Sequence, residues 1–259
     1  MKTLAALAFA VCSLAAGAAD YVALPGGRFE SVLPQGPVAT LSAPVDVAPF
    51  ALRTTPVAQR EFATFVQQHP EWQRGRAATL FADRRYLVDW PSPAEAPSAS
   101  ADSPVVNVSW FAAKAFCESE DARLPTWLEW EYAAAADETR RDARGDPAWR
   151  RRILAWYERP TSATLPAVGG PANTYGVHDL HGLVWEWVDD FNALFIAGDS
   201  RTQGDPDLLK FCGSGALNVL DRDSYAVLMR IALLSSLNAA DTTANLGFRC
   251  AKPLAGKAP

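Results

Sequence analysis

The stretch Gly176 to Asp190, GVHDLHGLVWEWVDD, constrains the fold of this chain more than any other. It sets Glu186 between Trp185 and Trp187 and follows them with the acidic pair Asp189-Asp190. Indoles on either side exclude water from a carboxylate, and a desolvated carboxylate must be matched by hydrogen bonds, a cation or a metal. The plainest role for Glu186 is a core staple that ties loops together. Burying such a group requires a sizeable core, which 259 residues at a hydrophobic fraction of 49% can supply. Nineteen prolines and sixteen glycines favour a loop-rich fold over a helical bundle. A net charge of −5 without an extended basic patch gives no reason to expect nucleic acid as a partner.

The first residues read as an address. Met1-Lys2, the apolar run Leu4 to Leu14 and the small residues Ala16-Gly17-Ala18 have the order of a secretory signal peptide, residues 1–19, with a cut near Ala18 or Ala19. The apolar run is too short to span a bilayer, and a lipoprotein reading at Cys12 lacks the usual residues before the cysteine. The sequence thus predicts a periplasmic or secreted protein with no membrane anchor after cleavage, in a compartment that permits disulfides. Cys117, Cys212 and Cys250 remain in the mature chain, so at most one internal bridge forms and one thiol is left over.

Local patterns supply the elements. Tyr21 to Glu30 reads as a strand pair turning at Gly26-Gly27, and Val45 to Leu52 as the next strand. Thr54-Thr55-Pro56 opens a helix whose buried face is Phe62, Phe65 and Val66. Residues 91–103, rich in Pro, Ala and Ser, read as an exposed loop. Ser109 caps one helix, and Thr126 with Glu129 forms a capping box for the next. Asp146 to Tyr157 reads as a basic helix with a solvated face.

Several of these blocks coincide with one family. The segment LHGLVWEW, the opening VALPGGRF, the helix PVAQREFATFV, the block PVVNVSWFAAKAFC with RLPTWLEWEYA, and the ending GFRCA resemble the motifs of the formylglycine-generating enzyme (sulfatase-modifying factor) superfamily. That superfamily also holds ergothioneine-synthesis and pyoverdine-maturation proteins. The resemblance covers residues 20–253 and leaves 254–259 as a tail. It implies a single α+β domain, a C-type-lectin-like variant with short helices, small twisted sheets and long loops.

The resemblance also implies site residues. A disulfide would join Cys117 to Cys250. The oxidase's cysteine pair, which binds copper and captures the substrate thiol, falls between a turn matched here by Cys212-Gly213-Ser214 and the RCA ending. No cysteine lies between Cys212 and Cys250, and a cuprous site needs thiolates. The candidate groove comprises Trp185, Trp187, Ser214, Arg222 and Arg230. Arg249 is expected to lock onto a buried acid such as Glu131 or Glu186. Glu186 is a weak calcium candidate, because Leu183 replaces an asparagine ligand and the cation wants six to eight oxygens. His178 and His181 could share one helical face and, with Asp179 or Glu186, hold iron or copper.

Three functions stay open on this reading. The first is an exported accessory factor without formylglycine-generating oxidase chemistry, assisting maturation of another exported protein or of a secondary metabolite. The second is a metal-dependent oxidoreductase of diverged chemistry. The third is a peptide- or glycan-binding module.

Overall fold

The computed structural model describes residues 20–33, 44–157, 164–193 and 225–254. Its centre is a three-stranded antiparallel sheet in which β4 (Phe50–Arg53) runs between β1 (Tyr21–Leu24) and β7 (Ala251–Pro253). Val22 and Ala251 both pair with Leu52, and all four residues of β4 are buried, as a strand covered on both faces requires. A separate ribbon pairs β2 (Gly27–Phe29) with β3 (Val45–Val47).

These pairings correct two expectations. Tyr21 to Glu30 does not fold back on itself as a hairpin, because β1 and β2 join different sheets. Gly26 lies between them at φ 65°, and a Cβ there would stand 2.1 Å from the Val47 carbonyl oxygen. The glycine therefore lets one chain crossing pass against another. The segment Val45 to Leu52 likewise splits at Ala48-Pro49 into β3 and β4, since proline cannot donate to a ladder.

Helix α1 (Gln59–Gln68) starts later than Thr54-Thr55-Pro56 suggests. Residues 54–58 stay extended because tertiary partners claim their backbone. Val57 donates to the Phe248 carbonyl and accepts from Val105 N–H, each at 2.9 Å. Glu61 then turns back to accept from Ala58 N–H at 2.7 Å. Helix α2 (Trp110–Ser119) has Ser109 as its cap, and α3 (Trp127–Ala134) has the Thr126–Glu129 capping box. Phe62 lies at the centre of an aromatic core, with the rings of Phe65, Trp90, Phe116 and Phe248 at 5.3 to 6.1 Å.

Helix α4 (Pro147–Tyr157) buries Trp149 and Ile153 with Ala143 in a small second cluster, while Arg151 and Arg152 are exposed. It packs against α5 (Tyr225–Ser235). A short parallel pair, β5 (Trp185–Glu186) with β6 (Leu246–Gly247), brings the two motif-bearing segments side by side. Cys117 of α2 is disulfide-bonded to Cys250 just before β7, clamping the helix layer to the sheet. Among the described residues, no helix is long and apolar enough to cross a membrane.

Candidate functional site

Glu186 and Arg249 meet where β5 and β6 pair. Both side chains are fully buried. Arg249 donates from Nε to Oε2 and from Nη2 to Oε1 of Glu186, each at 2.8 Å, and Trp130 adds an indole N–H to Oε2 at 2.9 Å. The remaining guanidinium protons reach main-chain oxygens of Arg53, Thr54 and His178. One ion pair thus holds the end of β4, the loop before β5 and the terminal segment together. Such a two-pronged, hydrogen-bonded geometry is what makes a buried charge tolerable.

Glu131, the alternative acid for Arg249, has its own partners. It is buried and accepts from Ser31 Oγ at 2.5 Å, Val32 N–H at 2.8 Å and the Trp127 indole at 2.9 Å. Burial pushes its carboxyl above the ordinary range, against the pull of these donors.

The described members of the expected groove are interior residues. Trp187 is fully buried, with its indole N–H on the Val108 carbonyl at 3.0 Å and its ring 5.0 Å from that of Phe191. Trp185 is 9% exposed and faces Trp156 of α4 at 5.0 Å. Arg230 lies 3.5 Å from the centroid of the Trp130 ring and donates to the Glu186 carbonyl. Among the described residues these three are therefore packed inside the protein and line no open groove. Ser214, Arg222 and Cys212 lie outside the described residues.

The metal expectations fail on the same geometry. Both carboxylate oxygens of Glu186 face the Arg249 guanidinium, and its main-chain oxygen accepts from Arg230. A calcium ion there would sit against two fixed positive charges, so Glu186 does not fit as its ligand. His178 and His181 do not share a helical face. Asp179 between them adopts φ 59° in a bridge-and-turn segment. The turn is fixed by the Asp179 carboxylate, which accepts from Gly169 N–H at 2.6 Å and Gly170 N–H at 3.1 Å. His178 Nδ1 donates to the Gly170 carbonyl, whereas His181 Nε2 donates to that of Ala134 at 2.8 Å. Burial lowers the His181 pKa to about 4, which keeps that ring neutral. Among the described residues, no three His, Cys, Asp or Glu side chains gather into a metal-binding group.

A pocket of about 400 Å³ opens between α4 and residues 164–183. Trp149, Trp156, Ile153 and Leu183 supply its apolar lining, and Glu138, Arg152 and Asn173 its polar one. Arg152 is already paired with Glu138 at 3.0 Å, and Asn173 donates to the Ala133 carbonyl at 2.9 Å. The arginines of α4 predict a solvated face, and Arg151 and Arg152 are exposed, but the i, i+4, i+7 apolar set Trp149, Ile153 and Trp156 turns the other face inward.

The sulfatase-modifying factor enzyme 1-like domain matches residues 11–254. The chain belongs to this family. A formylglycine-generating enzyme from Streptomyces coelicolor is 36% identical over 167 residues, covering 57% of this chain and 52% of that one, so the matched stretch spans about half of that relative. An inactive C-alpha-formylglycine-generating enzyme 2 from Bos taurus is 27% identical over 285 residues, covering 93% of this chain and 90% of that one. Among solved structures, PvdO from Pseudomonas aeruginosa aligns over 90% of this chain and 94% of its own, at 18% identity and a TM-score of 0.46.

Proposed function

We propose that this family member is an exported factor that lacks formylglycine-generating oxidase chemistry and assists the maturation of another exported protein or of a secondary metabolite. The observation that carries this reading is the use of its cysteines. Cys117 and Cys250 are consumed by their bridge, Cys12 falls in the segment read as a leader, and Cys212 is left alone. A copper site built on two thiolates cannot be assembled from one. What survives is the scaffold around the Glu186–Arg249 pair. The Bos taurus relative described as inactive, similar along nearly the whole chain, lends further support.

The test is to incubate the purified protein with a Cys-x-Pro-x-Arg peptide, copper and oxygen, and to follow the mass loss of aldehyde formation. No conversion above the protein-free control is expected, and turnover would overturn the proposal. The pocket lined by Trp149 and Trp156 favours a second reading, a peptide- or glycan-binding module, since indole faces suit sugars and apolar side chains. Binding to a peptide or glycan array without any co-purifying partner would put that reading first.

A further inference from the structure

A second concave surface lies on the opposite kind of ground, in residues 74–88. It is a pocket of about 520 Å³ with Arg74 and Arg84 at its edge and Thr79, Tyr86 and Val88 in its wall. Val88 in the wall is 48% exposed, and the residues after Thr79 are also large and apolar: Leu80 is 74% exposed, and Phe81 is 40% exposed with its ring 5.1 Å from that of Phe111. Single exposed apolar residues are ordinary, but three on one short segment form a patch.

The charge around this patch is opposite to that of the chain. Arg74, Arg76 and Arg84 make no ion pair among the described residues, and Arg85 comes only within 3.8 Å of Asp83. Asp83 itself is committed to Thr242, whose hydroxyl donates to it at 2.6 Å. Within residues 74–88 four arginines stand against one acid, and with Asp89 and Asp241 next to the segment the arginines still outnumber the acids in a protein of net charge −5.

The surface is also fixed in shape. Asp83 N–H donates to the Ala240 carbonyl at 2.8 Å, Leu87 N–H to that of Asn107 at 2.9 Å, and the Tyr86 hydroxyl to that of Trp72 at 2.9 Å. Leu87, fully buried, is held at φ 49°, a left-handed conformation that non-glycine residues rarely adopt. Its neighbours Tyr86 and Val88 both line the pocket. A preorganised site loses little freedom when it is filled.

We propose that this pocket, with Arg74 and Arg84 at its edge and Leu80, Phe81 and Val88 beside it, docks an acidic segment of a partner protein that inserts an apolar side chain. The arginines steer and orient the carboxylates, and the patch covers the apolar anchor. A concave wall with fixed hydrogen bonding suits an inserted side chain better than a lipid surface. The inference rests on the partner-assisting function above and names the face that the partner would use.

The probe is a dye-labelled peptide alternating glutamate with leucine and phenylalanine, titrated into the full-length purified chain and compared with its lysine counterpart. The glutamate peptide should bind at least about tenfold more tightly, and its affinity should fall as salt rises. The double variant R74E/R84E should reverse the preference, and Leu80→Ser should weaken binding without changing the salt dependence. Arg84 and Leu80 are exposed and Arg74 is half-buried, and unchanged melting temperatures confirm that each variant is folded. Equal affinity for the two peptides, indifference to charge reversal, or stronger binding to phosphatidylglycerol vesicles than to either peptide would overturn the proposal. A partner that co-purifies equally with native and R74E/R84E chains from the source cell would overturn the docking face while leaving the maturation function standing.

Discussion

At the residue scale, the buried pair of Glu186 and Arg249 governs stability. Replacing Glu186 with Gln leaves Arg249 charged and uncompensated in the core, so the variant should lose about 3–5 kcal/mol. Denaturant melts with and without calcium should show the same loss, because both carboxylate oxygens belong to Arg249. A loss that appears only with calcium present would refute this assignment. Asp190, the second acid of the Asp189-Asp190 pair, is tied to α3. It is half-buried and accepts from the first amide of α3, Trp127 N–H, at 2.7 Å. Burial raises its pKa. Asp190→Asn retains an acceptor for that amide and should stay within about 0.5 kcal/mol, whereas Asp190→Ala leaves the Trp127 N–H without it and should cost about 1 kcal/mol, with the Thr126–Glu129 cap intact. His181 predicts a pH dependence. Its pKa falls from 6.5 to about 4 on folding, so between these values the unfolded chain binds a proton that the native state refuses. Stability should therefore decline as pH drops through that window, by on the order of 3 kcal/mol, and this group's contribution should level off below it. His181→Gln should flatten that part of the pH–stability curve; an unchanged slope would assign it to other groups.

At the element scale, the short parallel pairing of β5 with β6 depends on a glycine. A Cβ on Gly247 would stand 2.5 Å from the Val105 carbonyl oxygen, a backbone atom with little room to yield. The same segment carries the Phe248 carbonyl that accepts from Val57 N–H. Gly247→Ala should therefore cost about 1–3 kcal/mol by overpacking. Gly145, where an added Cβ meets nothing within 4 Å, is the comparison. If Gly145→Ala proves as destabilising by thermal melting, close packing at β6 is not the cause. The element boundaries follow the same logic of competition. Residues 54–58 carry helix-start signals, yet they bond to Phe248 and Val105 and remain extended until Glu61 can close the first turn.

At the scale of the whole molecule, the Cys117–Cys250 bridge ties α2 to the terminal strand across 133 residues. A closed loop of that length stabilises by about 4–5 kcal/mol on the chain-entropy estimate, so reduction should lower the melting temperature markedly. Mass mapping of the denatured protein, produced without residues 1–19, should find label on Cys212 alone. A bridge from Cys212 to either partner would contradict the structure. The bridge, the Glu186–Arg249 pair and the β4-centred sheet all converge on the last strand, which makes the C-terminal segment a structural keystone.

What the sequence determined by itself was local or strongly patterned. Ser109 and Thr126–Glu129 cap their helices because a cap needs only residues within one turn. Phe62, Phe65 and Val66 are buried because helical spacing puts them on one face. The acid between two tryptophans was legible as a buried staple because so apolar a segment is drawn into the core, although the groups that cover its carboxylate, Trp130 and Arg249, come from elsewhere in the chain. Tertiary structure decided the rest. Whether Arg249 takes Glu131 or Glu186 depends on which acid the β5–β6 pairing brings to it across 63 residues, and spacing along the chain does not encode that. β1 pairs with β4 and not with β2, because Gly26 permits a crossing where a turn was expected. Trp187 belongs to the core and not to a groove, and α4 forms a pocket wall, because burial is settled by what packs over a side chain.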